Sequence, residues 1–138
     1  MFMENKLAFS LYMAFKKMQI QFSDLAEQMG LDPAPLSALL KLWRQDGLTI
    51  TELGNKLFLK ASTITSLIDR MERDGLVRRE RNLEDRRVVR IFLTEKARNL
   101  EGQFPSFEEY IQDKVKDRFT AEEIETLIRL LNKMEAAL

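Results

Sequence analysis

The 138 residues contain no cysteine and no histidine, only five glycines and three prolines, and their charges sum to zero. Without cysteine there is no disulfide scaffold, no thiolate zinc site and no thiol redox switch. Without histidine the usual proton shuttle and the commonest transition-metal ligand are missing. A Ser-His-Asp or Cys-His enzyme is therefore excluded from this chain, and neither a cofactor nor a metal is expected. No run approaches the ~18 consecutive apolar residues of a membrane span. The opening Met1-Phe2-Met3-Glu4-Asn5-Lys6 lacks a basic region leading into an apolar run and a small-residue cleavage site, so a cytoplasmic location away from membranes is the expectation. An apolar fraction of 45% beside 32% charged residues fits one folded domain rather than disorder or two cores.

A net charge of zero argues against a nucleic-acid partner, but the distribution of charge argues for one. Residues 1–48 are balanced, residues 49–98 hold 12 basic against 8 acidic side chains, and residues 99–138 hold 5 against 9. The basic excess centres on Arg78, Arg79, Arg81, Arg86, Arg87 and Arg90, set among Glu80, Glu84 and Asp85. Such asymmetry speaks to partners more than the total does, although taken alone the stretch also reads as a solvated, salt-bridged hairpin.

Apolar residues at Leu7, Leu11, Phe15, Met18, Phe22, Leu25 and Met29 make one helical stripe that stops at Gly30. Phe9, Met13 and Ile20 widen it beyond the needs of a surface helix, which suggests burial against another chain. Asp32-Pro33 reads as an N-cap and first helical position, opening a helix through Leu36, Leu39, Leu40, Leu42 and Trp43. Thr49-Ile50-Thr51-Glu52 is a capping box for a short helix. After the turn Phe58-Leu59-Lys60-Ala61, Ser62 is expected to cap a helix with Ile64, Leu67, Ile68 and Met71 inside, closed by Gly75. Leu76–Arg81 and Val88–Leu93 are strand-like and joined by a polar stretch. Thr94 opens a long helix, which Pro105 should kink or break. Thr120-Ala121-Glu122-Glu123 boxes a last helix through Ile124, Leu127, Ile128, Leu131 and Met134. The fold class is mainly α with a small β hairpin (α+β). Two helices joined by a tight turn and followed by a basic hairpin make a winged helix-turn-helix, whose second helix enters the major groove while phosphate contacts set register.

On that frame the start of the second helix (Ser62, Thr63, Thr65, Ser66) offers hydroxyls and the positive end of a helix dipole to phosphates or base edges. For Ser62, capping alone is the competing role. Arg70 and Arg73 fall on the same outward side. At the hairpin tip, Asp85 can hold Arg87 extended, which lowers the ordering cost of inserting it into a narrow minor groove. Arg86 and Arg90 lie nearby. An isolated surface pair of that kind is worth only ~0–1 kcal/mol, so the placement on a wing carries the argument.

The run Leu48-Thr49-Ile50-Thr51-Glu52-Leu53-Gly54, then Ser62-Thr63-Ile64-Thr65, Ile68-Asp69-Arg70-Met71-Glu72-Arg73-Asp74-Gly75-Leu76-Val77-Arg78-Arg79, Glu84-Asp85-Arg86-Arg87 and Leu93-Thr94-Glu95-Lys96-Ala97 strongly resembles the MarR family of bacterial transcriptional regulators. The resemblance implies a homodimer on a palindromic operator, most simply a repressor. One domain, 1–138, would then comprise a winged helix-turn-helix at 31–94 and a helical dimerisation region at 1–30 and 95–138. The family's wing arginine maps onto Arg87, its aspartate partner onto Asp85, and its recognition helix onto Ser62 through Asp74. Ser66 stands where the family often has Arg, which leaves the operator sequence open. Ala97, in place of the family's glycine, suggests a straighter entry into the next helix. Many relatives release DNA when a small aromatic compound binds; the lining implied here is Tyr12, Phe15, Lys16 and Trp43, with Phe104 or Phe107 opposite. Cysteine-based peroxide sensing and zinc sensing are excluded by composition.

The alternative reading is a winged-helix module that meets an acidic protein partner through Arg78–Arg90. An enzyme is not expected. Adjacent carboxylates such as Glu108-Glu109 or Glu122-Glu123 point ~100° apart on a helix and cannot converge on one atom.

Overall fold

The 3–4 spacing of apolar residues from Leu7 forms α1 (Leu7–Gln28), and Pro33, with its φ already helical, opens α2 (Pro33–Arg44). The computed structural model describes residues 6–138, so the reading of Met1–Asn5 lies outside the described residues. There follow β1 (Leu48–Thr49), α3 (Ile50–Lys56), α4 (Ala61–Arg73), β2 (Val77–Arg81), β3 (Val89–Leu93), α5 (Glu95–Leu100), α6 (Phe107–Val115) and α7 (Ala121–Ala137). The chain divides into two units, one running to Phe104 and one spanning Pro105–Leu138.

In the first unit the hairpin is the expected one, with Val77 opposite Leu93, Arg79 opposite Ile91 and Arg81 opposite Val89. A third strand was not expected. β1 pairs antiparallel with β3, Leu48 against Ile91, giving the order β1-β3-β2. Its turn depends on Gly47 at φ +75°, where a Cβ would stand 2.8 Å from the Phe92 ring. Alternation then places Val77, Ile91 and Leu93 on one face of the sheet, where they meet Leu39, Leu42, Leu53, Ile64, Ile68 and Met71. Each such side chain contributes ~1.5–3 kcal/mol by leaving water.

Polar ties lock the ends of elements to this core. The Asp46 carboxylate accepts from the N–H of Gly47 (3.0 Å), the N–H of Leu93 (2.9 Å) and Arg98 (3.3 Å). The Trp43 indole donates to the Ala97 carbonyl at 3.0 Å. Thr49 and Glu52 form the expected capping box, and Thr94 accepts from the Ala97 N–H.

Two local expectations need correction, and a third, the kink or break at Pro105, resolves as a break. Ser62 does not cap α4: the N-cap is Lys60, whose carbonyl receives the N–H groups of Thr63 and Ile64, so Ser62 lies within the first turn. Asp32 stands at the N-cap of α2 but makes no capping hydrogen bond, and its carboxylate lies 3.9 Å from Arg70 instead. The long helix after Thr94 is two helices. α5 ends at Leu100, Gly102 takes φ +89° in the gap, and Ser106 starts α6 by accepting from the Glu109 N–H. Pro105 thus produces a break rather than a kink, and Ala97 leads into a helix of only six residues.

In the second unit α7 opens with the Thr120–Glu123 capping box. Neither α6 nor α7 contains a buried residue.

Candidate nucleic-acid interface

The four-residue spacing of Ile64, Ile68 and the flanking Leu67 and Met71 fixes α4 on the core and forces its remaining positions outward. Ser62, Thr63, Thr65 and Ser66 are all exposed, in the first two turns of the helix. Arg73 is exposed in the last turn. Arg70 is half-buried and turned towards Asp32. The start of α4 therefore presents hydroxyls at the positive end of the helix dipole, a surface suited to anionic oxygens and base edges.

α3 sits close enough to support this turn because Gly54 faces Ile64. A Cβ at Gly54 would stand 3.2 Å from Ile64 Cγ2 and 3.3 Å from the Leu59 carbonyl. Hydrogen bonds to Thr49 hold the Glu52 carboxyl below its ordinary range, so the box is anionic at neutral pH and favours the N-terminus of α3.

The hairpin tip is shaped by Asn82, whose Oδ1 accepts from the N–H of Glu84 (2.8 Å) and of Asp85 (3.2 Å). Arg81 donates to the Arg86 carbonyl, closing the loop from the other side. On that frame Asp85 receives three hydrogen bonds from Arg87, from its backbone N–H (3.0 Å), Nε (3.0 Å) and Nη2 (3.1 Å). The Arg87 side chain is nonetheless 92% exposed, against 40% for Asp85. The Arg87 bonds lower the Asp85 pKa and raise that of the guanidinium, so both stay charged at any physiological pH. Geometry of this kind fixes a donor fork in space without consuming its outer face. Arg86 is exposed beside it.

Two arginines of the basic stretch are bonded to neighbouring parts of the fold. Arg90 donates to the Gly47 carbonyl at 2.9 Å and so braces the base of the hairpin against the loop before β1. Arg79 reaches from β2 across to α4, where it binds Asp69 and, at 2.7 Å, Glu72. Burial works against its charge, but the two carboxylates outweigh that and raise its pKa. The residues alone do not set Arg79 apart from its basic neighbours, although a signal is present. It is two residues from buried Val77 on a strand, so it shares the side that faces α4. Arg78 is paired with Glu80 at 2.8 Å and lies 4.9 Å from the Phe92 ring.

The residues expected to line an effector site lie on several elements. Tyr12 and Phe15 are 53% and 48% exposed on α1, and the Lys16 ammonium lies 5.6 Å from the Tyr12 ring. Trp43 belongs instead to the periphery of the core, with its N–H committed to Ala97. Phe104 ends the first unit and Phe107 begins α6 in the second. Among the described residues no cluster of carboxylates suits a metal ion, and no helix is long and apolar enough to cross a membrane.

Comparison with known proteins places this geometry. The MarR family model matches residues 35–89. Over 93 residues the chain is 39% identical to the organic hydroperoxide resistance transcriptional regulator of Bacillus subtilis, a match covering 67% of this chain and 63% of the relative, under two thirds of its length. It is 36% identical over 113 residues to the HTH-type transcriptional regulator YsmB of the same organism, covering 81% and 77%. In fold it resembles the crystal structure of the Staphylococcus aureus MepR–DNA complex, with a TM-score of 0.84 at 24% identity over 96% of this chain and 98% of that one.

Proposed function

Because the chain belongs to the MarR family of transcriptional regulators, we propose that it is a homodimeric, sequence-specific repressor that binds a palindromic double-stranded operator in the cytoplasm. The observation that carries this reading is the braced tip of the hairpin: Arg87 is tied to Asp85 through its backbone N–H, Nε and Nη2, yet is 92% exposed. A guanidinium ordered before binding loses less entropy on entering a minor groove. The exposed hydroxyl-rich start of α4 would face the adjacent major groove. Two-fold symmetry would set the recognition helices about one helical turn, ~34–36 Å, apart on the duplex. The MepR–DNA complex, in which a protein of similar fold is seen with DNA, supports the same use here.

Dimerisation rests on apolar residues left uncovered in one chain. Leu127, Ile128, Leu130 and Leu131 on α7 are 40–47% exposed. A small aromatic effector would find Tyr12, Phe15 and Lys16 on α1, whereas Trp43 would have to give up its bond to Ala97 to join them. One B. subtilis relative is named for organic hydroperoxide resistance; these 138 residues have no thiol with which to sense a peroxide.

The test is fluorescence anisotropy with duplex DNA between ~50 and 200 mM salt. Phosphate neutralisation should make the affinity fall steeply, by tenfold or more for three or more contacts, and Arg87→Ala should both weaken binding and flatten the slope by about one unit. Binding that ignores salt would favour the acidic-protein partner over DNA.

A further inference from the structure

α1, α3 and α4 end in the same backbone motif. In α1 the Gly30 N–H bonds Glu27 O (3.0 Å) and the Leu31 N–H bonds Ala26 O (2.9 Å). In α4 the Gly75 N–H bonds Glu72 O (3.1 Å) and the Leu76 N–H bonds Met71 O (2.9 Å). In α3 the Phe58 N–H bonds Asn55 O (3.2 Å) and the Leu59 N–H bonds Gly54 O (2.9 Å). This is the Schellman ending, and its pivot residue must take a left-handed conformation, for which glycine is the economical choice. Two of the three pivots are glycine, both at φ +73°; the third is Phe58 at φ +57°. Among the described residues Phe58 alone, other than glycine, has a positive φ.

The ring gains nothing from the fold in return, for Phe58 is 96% exposed. A bulky residue in a strained conformation with no packing points to a role outside the folded chain. Its surroundings identify what it meets. Phe58 lies in the turn between the two helices of the helix-turn-helix, three residues before Ala61, the first residue of α4. It is flanked by Lys56 and Lys60, both exposed. The exposed hydroxyls of Ser62 and Thr63 continue the same edge. In this architecture the first helix crosses the nucleic-acid backbone and the second enters the groove at its N-terminal end, so the turn between them passes along the groove wall.

We propose that Phe58 is a DNA-contacting residue that lays its ring on the deoxyribose edge of the groove wall while Lys56 and Lys60 bind the adjoining phosphates. The sugar face is the apolar part of the backbone and carries no sequence information, so the contact adds affinity and register rather than base preference. The inference rests on the DNA reading above and deepens it.

Phe58→Gly separates the two roles of the position because folding and binding respond in opposite directions. Relief of the left-handed strain should raise the Tm by about 3–6 °C. Loss of the ring's burial against the sugar should raise the Kd for a mixed-sequence duplex about tenfold at fixed salt. The slope of log Kd against log salt should stay unchanged, since no phosphate contact is lost, and Phe58→Tyr should retain wild-type affinity. If Phe58→Gly binds as tightly as wild type while Arg87→Ala is weakened, the inference is overturned and the DNA reading survives. If wild-type protein shows no salt-dependent duplex binding at all, the DNA reading falls and takes the inference with it.

Discussion

The winged body and α7 carry the same kind of amphipathic sequence, yet only one of them buries it. In the body Leu39, Leu42, Leu53, Ile68, Met71 and Ile91 are fully enclosed. In α7, Leu127, Ile128 and Leu131 recur at the same helical spacing and remain 40–47% exposed. A helical apolar stripe states that a face needs covering, and it is silent on whether the cover comes from the same chain. In the body the cover is a sheet whose alternation matches the helices. In α7 no residue reaches full burial, as the proposed use of this surface by a second copy would require.

The contrast can be tested by asking whether a loss depends on protein concentration. The largest effect is expected inside the body. Ile68→Ala should cost about 2–5 kcal/mol in a denaturant titration, by the same amount at every protein concentration. A double substitution on the other surface, Leu127→Glu with Leu131→Glu, should leave the secondary structure of the body intact but raise the dimer dissociation constant at least 100-fold, read by sedimentation. A stable dimer after that change would remove α7 from the interface. Smallest is the pair of capping boxes, which offers the same chemistry in both regions. Thr49→Ala and Thr120→Ala should each cost about 1 kcal/mol, and only the second loss should vary with concentration.

Titration should not separate the regions near neutrality. With no histidine in the sequence, no side chain has an ordinary pKa between pH 5 and 8. The Asp85 pKa is lowered by Arg87, so its contribution is fully present above the ordinary value of 3.8 and disappears as pH falls below it. DNA affinity measured at constant ionic strength should therefore be flat from pH 6 to 8.

Much of this organisation was legible in the residues. Helix periodicity, the Thr49–Glu52 and Thr120–Glu123 boxes, the hairpin and the Asp85–Arg87 pairing are all local, so a single sequence exposes them. What escaped was set by distant partners or by too short a segment. β1 has two residues and cannot display a period. Arg90 looked outward until Gly47 was brought beneath it by strand pairing. Arg79 resembled its neighbours until the sheet carried it across to Asp69 and Glu72. Phe58 occupies a place where composition gives no warning, because a left-handed pivot is announced by glycine and hidden by anything else.

The grip of Arg79 on two carboxylates of α4 has a mechanical consequence. A single cation rivets the hairpin to the helix beside it, so tilting either one drags the other. In the proposed dimer the pair would act as one jaw of a calliper, set against a second jaw on the partner copy. A signal reaching such a dimer would then have little scope to re-aim one helix alone, and its economical course would be to alter the gap.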